Sequence, residues 1–292
     1  MPGSEEWAFH ARKREDDMKV TALAPWYGAK RSLSDRIIAA IGDHRCYWEP
    51  FCGSMATLMA KPRATMETVN DLHGDLVNFA RTIKDHVHGP ALYRKARRTL
   101  FAQAFFEDAC REIDKPFEPT PERAYWFLVK SWFGRNGVVG SRGGENFCLR
   151  FTSNGGQPAK RWSSVIGSIM SWSKRLEGVT ILSECGIALC ERIEDKCGTV
   201  IYCDPPYLAK GEKYVHDFEP YDHARLAEVL SRFRKTRVVV SYYHHPDLES
   251  LYPGFEKIDC YVTKSMASCG QRGKSGALVK APEVLLVNGV TP

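Results

Sequence analysis

Residues 200–210 read VIYCDPPYLAK. An apolar run, Val200–Cys203, stops at Asp204, and Pro205, Pro206 and Tyr207 follow. Two consecutive prolines offer no amide hydrogen to a ladder and do not fit a helix interior, so a strand must end there. That leaves a carboxylate at the strand's carboxyl end, the edge at which open parallel sheets bind ligands.

Working outward, HARLAEVLSRFRK (223–235) has helical spacing, and RVVVSYY (237–243) reads as the next strand. Upstream, SLSDRIIAAIGDH (32–44) is a helix with a Ser or Asp cap and a Gly-Asp stop, and CYWEPF (46–51) is a short strand. CGSMATLMAK is a turn running into a helix, METVNDL (66–72) is a second strand, and HGDLVNFARTIKDH is helical. This alternation predicts a parallel, helix-flanked sheet. Helical character over 91–113 and 121–133 interrupts it, followed by a Gly-rich loop over 134–162 and a helix, SVIGSIMSWSKRLEG (164–178). VTIL (179–182) and TVIYC (199–203) resume the strands. FEKIDCYVTKS and EVLLVN near the end read as an antiparallel pair, with a loop over 266–282 between them.

The charge distribution is uneven. Residues 90–175 hold fifteen Lys/Arg and seven Asp/Glu, a balance of +8, while the rest holds 26 and 28, a balance of −2. Over 130–175 there are eight basic residues against one acid, Glu145. This block also carries Trp126, Trp132, Trp162 and Trp172, a combination that points to a polyanion-binding surface. No window approaches the roughly 20 apolar residues of a membrane span. The start, MPGSEEWAFHARKREDD, lacks the apolar core of a secretory signal and reads as a leader. The ten cysteines form no Cys-x-x-Cys pair and no zinc-finger spacing, so no metal is expected and reduced, packing cysteines are.

Three candidate sites fall at strand ends. Phe51-Cys52-Gly53-Ser54 places a glycine between strand and helix, where a ligand can approach the backbone. Asp71 follows the next strand, eighteen residues after Gly53, the place of an acid that accepts from ribose hydroxyls; a cap for the following helix is the alternative. Asp204-Pro205-Pro206-Tyr207 is the third. An exocyclic amine on a nucleobase is a poor nucleophile, because its lone pair is conjugated into the ring. A carboxylate, Asp204, and a carbonyl, that of Pro205, can accept its two N–H bonds and draw the nitrogen toward a tetrahedral shape. Tyr207 offers a face on which an extruded base can stack.

These motifs resemble the Dam-type adenine-specific DNA methyltransferases: PWYGAK, YWEPFCGS, NDLHGDL, IYCDPPYL, then HARLAEVL and RVVVS, in the family's order over residues 24–290. The resemblance implies a Rossmann-like methyltransferase sheet with helices on both faces and an inserted, mainly helical DNA-recognition domain. It implies a leader over 1–22, a catalytic domain over 23–89 and 178–292, and a recognition insertion over 90–177. The cofactor would be S-adenosyl-L-methionine, with Trp26, Lys30, Phe51, Gly53, Asp71 and Asp204 binding it. Asp204, Pro205, Pro206 and Tyr207 would form the catalytic loop. Double-stranded DNA would be the partner, met by Arg135, Asn136, Arg142, Lys160 and Arg161. A cytoplasmic monomer is expected, with cytosine N4 methylation, RNA methylation or an inactive DNA-binding relative as alternatives. The chain departs from the family at Met55, where a further glycine is usual, and at SECGIAL, where Glu184 is the nearest acid to one expected after VTIL.

Overall fold

The computed structural model describes residues 22–26, 30, 33–135, 146–149, 157–208, 218–263 and 280–290, with the backbone alone at 261–263 and 280–282. Most of the expected leader, Asn136, Arg142 and most of the expected loop over 266–282 lie outside these residues.

In chain order the elements are α1 (Ser34–Ile41), β1 (Cys46–Glu49), α2 (Ala56–Ala60), β2 (Met66–Asn70), α3 (Gly74–Lys84), α4 (His88–Arg98), α5 (Gln103–Ile113), α6 (Pro121–Phe133), α7 (Pro158–Arg175) and β3 (Val179–Leu182). Then follow α8 (Gly186–Arg192), β4 (Thr199–Cys203), α9 (Pro220–Ser231), β5 (Arg237–Tyr243), α10 (Leu248–Leu251), β6 (Glu256–Thr263) and β7 (Lys280–Val287).

Several boundaries differ from the sequence expectation, each for a local reason. β1 stops at Glu49 because Pro50 has no N–H for the ladder. α1 starts at Ser34, and neither a serine nor an aspartate side chain caps it; the Ser34 hydroxyl instead donates to the Lys30 carbonyl at 3.1 Å. The helical region 91–113 is two helices: Thr99 turns extended, and its hydroxyl donates back to the Lys95 carbonyl at 2.9 Å. α7 begins at Pro158, six residues before the expected start, and α9 at Pro220. Each takes proline at its first position, where the missing N–H removes an orphan donor. α9 is further fixed by a capping box between Glu219 and Asp222.

The chain divides into two units: Met1–Ala29, Gly53–Met59 and His73–Ser183 form one, and Lys30–Cys52, Ala60–Leu72 and Glu184–Pro292 the other. The helical unit therefore takes in α3 as well as the basic block. Its core is aromatic: Phe79 packs on Phe127 and Trp172, and Phe133 on Trp162. Here one expectation is corrected. Trp132 and Trp162 are 4% exposed and Trp172 is fully buried, so three of the four tryptophans fill this core rather than a binding face. Inside the same unit Arg123 donates to both carboxylate oxygens of Asp75, at 2.5 and 3.2 Å, and to the carbonyls of Ile113 and Lys115.

The second unit holds six strands in the order β2-β1-β4-β5-β7-β6. β2, β1, β4 and β5 are parallel; β7 runs antiparallel to β5, and β6 antiparallel to β7. All five residues of β4 are buried, as a central strand covered on both faces requires. From β1 the chain moves to β2 on one side and later to β4 on the other, so the order reverses between β1 and β4. That reversal is a topological switch point, and the loops after β1 and β4 open at it.

His223 of α9 is buried, and its Nδ1 lies 3.0 Å from the Tyr242 hydroxyl of β5. Burial lowers its pKa from 6.5 to about 4. The unfolded chain therefore takes up this proton first as pH falls. Stability contributed by the neutral ring is complete above pH 6.5 and is lost progressively as pH falls toward 4. Melting curves between pH 7 and 4 should fall more steeply for the wild type than for His223→Gln. Parallel curves would mean that the fold does not lower the pKa of this imidazole.

Candidate active site

β4 ends at Cys203, and the two prolines release the chain from the ladder, leaving Asp204 at the switch point. Its side chain keeps 21% of its surface exposed. Lys30, only 5% exposed, places Nζ 3.0 Å from Asp204 Oδ2 and 3.9 Å from Glu283 Oε2. The Tyr207 hydroxyl lies 3.0 Å from Glu283 Oε2 and 3.3 Å from Asp204 Oδ1. Tyr207 itself is 6% exposed: its ring packs 4.5 Å from that of Tyr243, and the Lys30 ammonium lies 4.9 Å from its centre. Pro205 is buried and Pro206 half-buried.

The charges shift one another. Burial raises the pKa of Asp204, opposed by the Lys30 ammonium and the Tyr207 hydroxyl. Burial also raises that of Glu283, with Asp204 adding to the effect and Lys30 opposing it. Burial alone would lower Lys30, but the two carboxylates outweigh it and hold the ammonium on. Two carboxylates and one ammonium leave one surplus negative charge, next to a partly exposed hydrogen-bond acceptor. Such a site can receive an N–H donor or a cation.

In the same unit Asn70 ties the loops after β1, after β2 and before α8. Its amide donates to the carbonyls of Pro50 and Glu184, both at 2.9 Å, and its oxygen accepts from the Glu184 N–H at 2.9 Å. Its own carbonyl accepts from Cys52 N–H at 2.9 Å. Gly186 opens α8 against this loop: a Cβ there would meet the Phe51 ring at 2.7 Å and the Pro50 carbonyl at 2.8 Å. Phe51 also meets Phe218 edge-on at 5.8 Å. Asp71, half-buried, follows β2 directly. At the N-terminus of α3, His73 Nδ1 accepts from Leu76 N–H. Cys52 and Cys203 are buried, and burial pushes both thiols well above their usual pKa.

In the other unit Gly53 adopts a positive φ of 44°, and an added Cβ would lie 2.8 Å from Trp26 Nε1. Trp26 packs edge-on to His73 at 5.3 Å, and Leu23 N–H donates to the Ser54 carbonyl at 3.0 Å. Met55, where the resemblance leads one to expect glycine, is held at φ 57° with its side chain fully buried. The backbone thus keeps a conformation that favours glycine, and apolar packing holds methionine in it.

Arg135, Lys160 and Arg161 are exposed; Asn136 and Arg142 are outside the described residues. Lys160 and Arg161 lie in the first turn of α7, with Arg161 4.7 Å from the centre of the Trp132 ring. Trp162 Nε1 donates to the Thr99 carbonyl at 3.1 Å, bringing the end of α4, with exposed Arg94, Arg97 and Arg98, beside the start of α7.

Sequence reasoning missed Glu283, Asn70 and Gly186. A carboxylate standing directly before the apolar run VLLV of β7 was the available signal for Glu283. A polar residue ending a strand just before Asp71 was that for Asn70. Among the described residues no group of three or more His, Cys, Asp or Glu could hold a metal, and no helix is long and apolar enough to cross a membrane.

A sequence model described as D12 class N6 adenine-specific DNA methyltransferase matches residues 26–266. The chain is 24% identical to the Retron Ec67 DNA adenine methylase of Escherichia coli, over 92% of each chain. It is 25% identical to a DNA adenine methylase of Vibrio cholerae, over 81% of this chain and 86% of the relative. With the DNA adenine methylase of Escherichia coli strain K12 it shares 23% identity, over 91% of this chain and 95% of that one.

Gly53→Ala adds both a disfavoured backbone conformation and a clash with the Trp26 indole. It should lower stability by about 1–3 kcal/mol, read as an earlier denaturant midpoint, and shift the tryptophan emission. An unchanged midpoint and spectrum would show that the indole does not rest on this glycine.

Proposed function

We propose that this chain, which belongs to the D12 class N6 adenine-specific DNA methyltransferase family, transfers a methyl group from S-adenosylmethionine to N6 of an adenine drawn out of duplex DNA. The observation that carries the reading is Asp204: a partly exposed carboxylate at the switch point, with a buried ammonium fixed against it. In this reading Asp204 accepts an N–H of the adenine amine and the Pro205 carbonyl accepts the other. The nitrogen then turns its lone pair out of conjugation and toward the electrophile. S-adenosylmethionine, when bound, supplies that electrophile as the methyl of a sulfonium.

The surplus negative charge of Asp204, Glu283 and Lys30 suits a cationic methyl donor, and the position of Asp71 at the end of β2 suits a ribose. Gly186 lets α8 start directly against the Phe51 ring, which a Cβ would meet at 2.7 Å. Tyr207 lends its hydroxyl to orient Asp204, and its ring, packed against Tyr243 and facing Lys30, is not the open stacking face expected from the sequence. The amine, once methylated, releases its proton to solvent. The relatives above are named for adenine methylation of DNA, which is the activity read here.

Asp204→Ala should abolish transfer of labelled methyl to DNA while DNA affinity stays within about twofold, because the surface proposed to meet phosphates is untouched. Nucleoside analysis identifies the product. Label on N6-methyladenine supports the reading; label on cytosine N4 or on RNA alone keeps the mechanism and replaces the substrate. Retained transfer by Asp204→Ala removes the carboxylate from it.

DNA is proposed to meet Arg135, Lys160 and Arg161. Neutralising all three should reduce the slope of log affinity against log salt by up to about 0.9 for each phosphate that no longer has a cation against it. An unaltered slope would place the phosphates elsewhere.

A further inference from the structure

We propose that Glu283 is a positioning residue: it takes over the Lys30 ammonium and the Tyr207 hydroxyl when Asp204 turns to the substrate amine. The proposal rests on the reading of Asp204 given above. As it stands, both oxygens of Asp204 are engaged, Oδ2 by Lys30 at 3.0 Å and Oδ1 facing the Tyr207 hydroxyl at 3.3 Å. Each oxygen keeps a second lone pair for an incoming amine, but the ammonium and the hydroxyl fix the direction in which the carboxylate points, so it can turn to the amine only if these partners have somewhere else to go. Neither partner can turn to water, since Lys30 and Tyr207 are both buried.

Glu283 is the receiver within reach. The Tyr207 hydroxyl has one hydrogen to give, and Glu283 Oε2, at 3.0 Å, is already closer to it than Asp204. Lys30 Nζ lies 3.9 Å from the same oxygen, so a displacement of about 1 Å turns that approach into a hydrogen bond without exposing the ammonium. Glu283 is itself well placed to stay still. It is paired in the ladder with Tyr243 on one side and Cys260 on the other. The residues after it, Val284 to Val287, are apolar and buried. A carboxylate in such a strand is expensive to bury unless it has partners, and among the described residues the partners it is seen with are Lys30 and Tyr207. Without the charge on Glu283, Lys30 would be drawn to Asp204 alone of the two carboxylates and would hold it away from substrate.

Glu283→Gln keeps the shape and an oxygen for Tyr207 but offers Lys30 no charge. In single-turnover assays its methyl-transfer rate should fall by roughly tenfold or more, while affinities for DNA and S-adenosylmethionine stay within about twofold. The acid limb of its pH–rate profile should move to lower pH, because Asp204 loses a like charge and gains an undivided ammonium. The groups acting on Asp204 are Lys30, Glu283 and Tyr207, with Tyr202, Tyr242 and Cys203 beneath it. Glu283→Asp keeps the charge but shortens the reach, so its rate should fall with no shift of the limb to lower pH. It decides the matter alone if Glu283→Gln fails to fold. Wild-type rate and profile in either variant overturn the proposal. So does a loss confined to melting temperature and ligand affinity, which would mark Glu283 as structural. Wild-type protein is assayed alongside: if it labels cytosine or RNA, the Glu283 role stands for that amine. If it labels nothing, the reading of Asp204 falls first and this one with it.

Discussion

A carboxylate at the end of a strand buried along its whole length has lost most of the water that would solvate it, and this constraint organises the second unit. Asp204 needs a cation, and Lys30 supplies it from the segment just before α1. Lys30 is then more deeply buried than the group it serves, and one partly exposed carboxylate does not offset the desolvation of an ammonium. A second anion, Glu283, comes from the antiparallel strand β7, and the Tyr207 hydroxyl lies between the two carboxylates. Positions 30, 204, 207 and 283 are thereby tied into one cluster. Removing one member of a fully buried pair costs about 3–5 kcal/mol, and the exposure of Asp204 lowers that figure here. That partial exposure is also what leaves the carboxylate open to a ligand.

The loops around it are held by a neutral device. Asn70 spends its whole amide on Pro50 and Glu184, and its backbone carbonyl on Cys52. Phe51 and Asp71 therefore sit on a frame fixed by hydrogen bonds rather than by charge. Gly186 completes the frame because only a residue without Cβ allows α8 to start against the Phe51 ring.

What the sequence disclosed follows from which interactions are local. Strands β1, β4 and β5 and the break after Cys203 were legible because apolar runs and prolines act where they stand. Asp204 was legible for the same reason. Glu283 was not, since a carboxylate before an apolar run does not disclose its partner; its meaning comes from Lys30, 253 positions away in the chain. The starts of α7 and α9 were missed because Pro158 and Pro220 stand before the apolar spacing begins, although proline at the first helical position initiates. The tryptophans of the basic block misled in another way. Composition counts them beside arginines and lysines, whereas helical spacing turns three of them inward.

That separation bears on the division of charge. A polyanion calls for a positive surface, while an amine donor and a sulfonium call for a negative acceptor. At physiological salt such charges act over about 8–10 Å, so placed within one patch they would cancel. The sequence keeps them in different segments, +8 over residues 90–175 and −2 in the remainder. In the helical unit the cations stand on exposed positions of α4 and α7, over an aromatic core that needs no charge to hold it. In the sheet unit the carboxylates are drawn inward, to strand ends where low polarity strengthens them. Screening by salt therefore weakens the first set and largely spares the second. In the proposed reading, affinity for nucleic acid and the chemistry at Asp204 rest on separable groups of residues, so either could be altered by substitution without rebuilding the other.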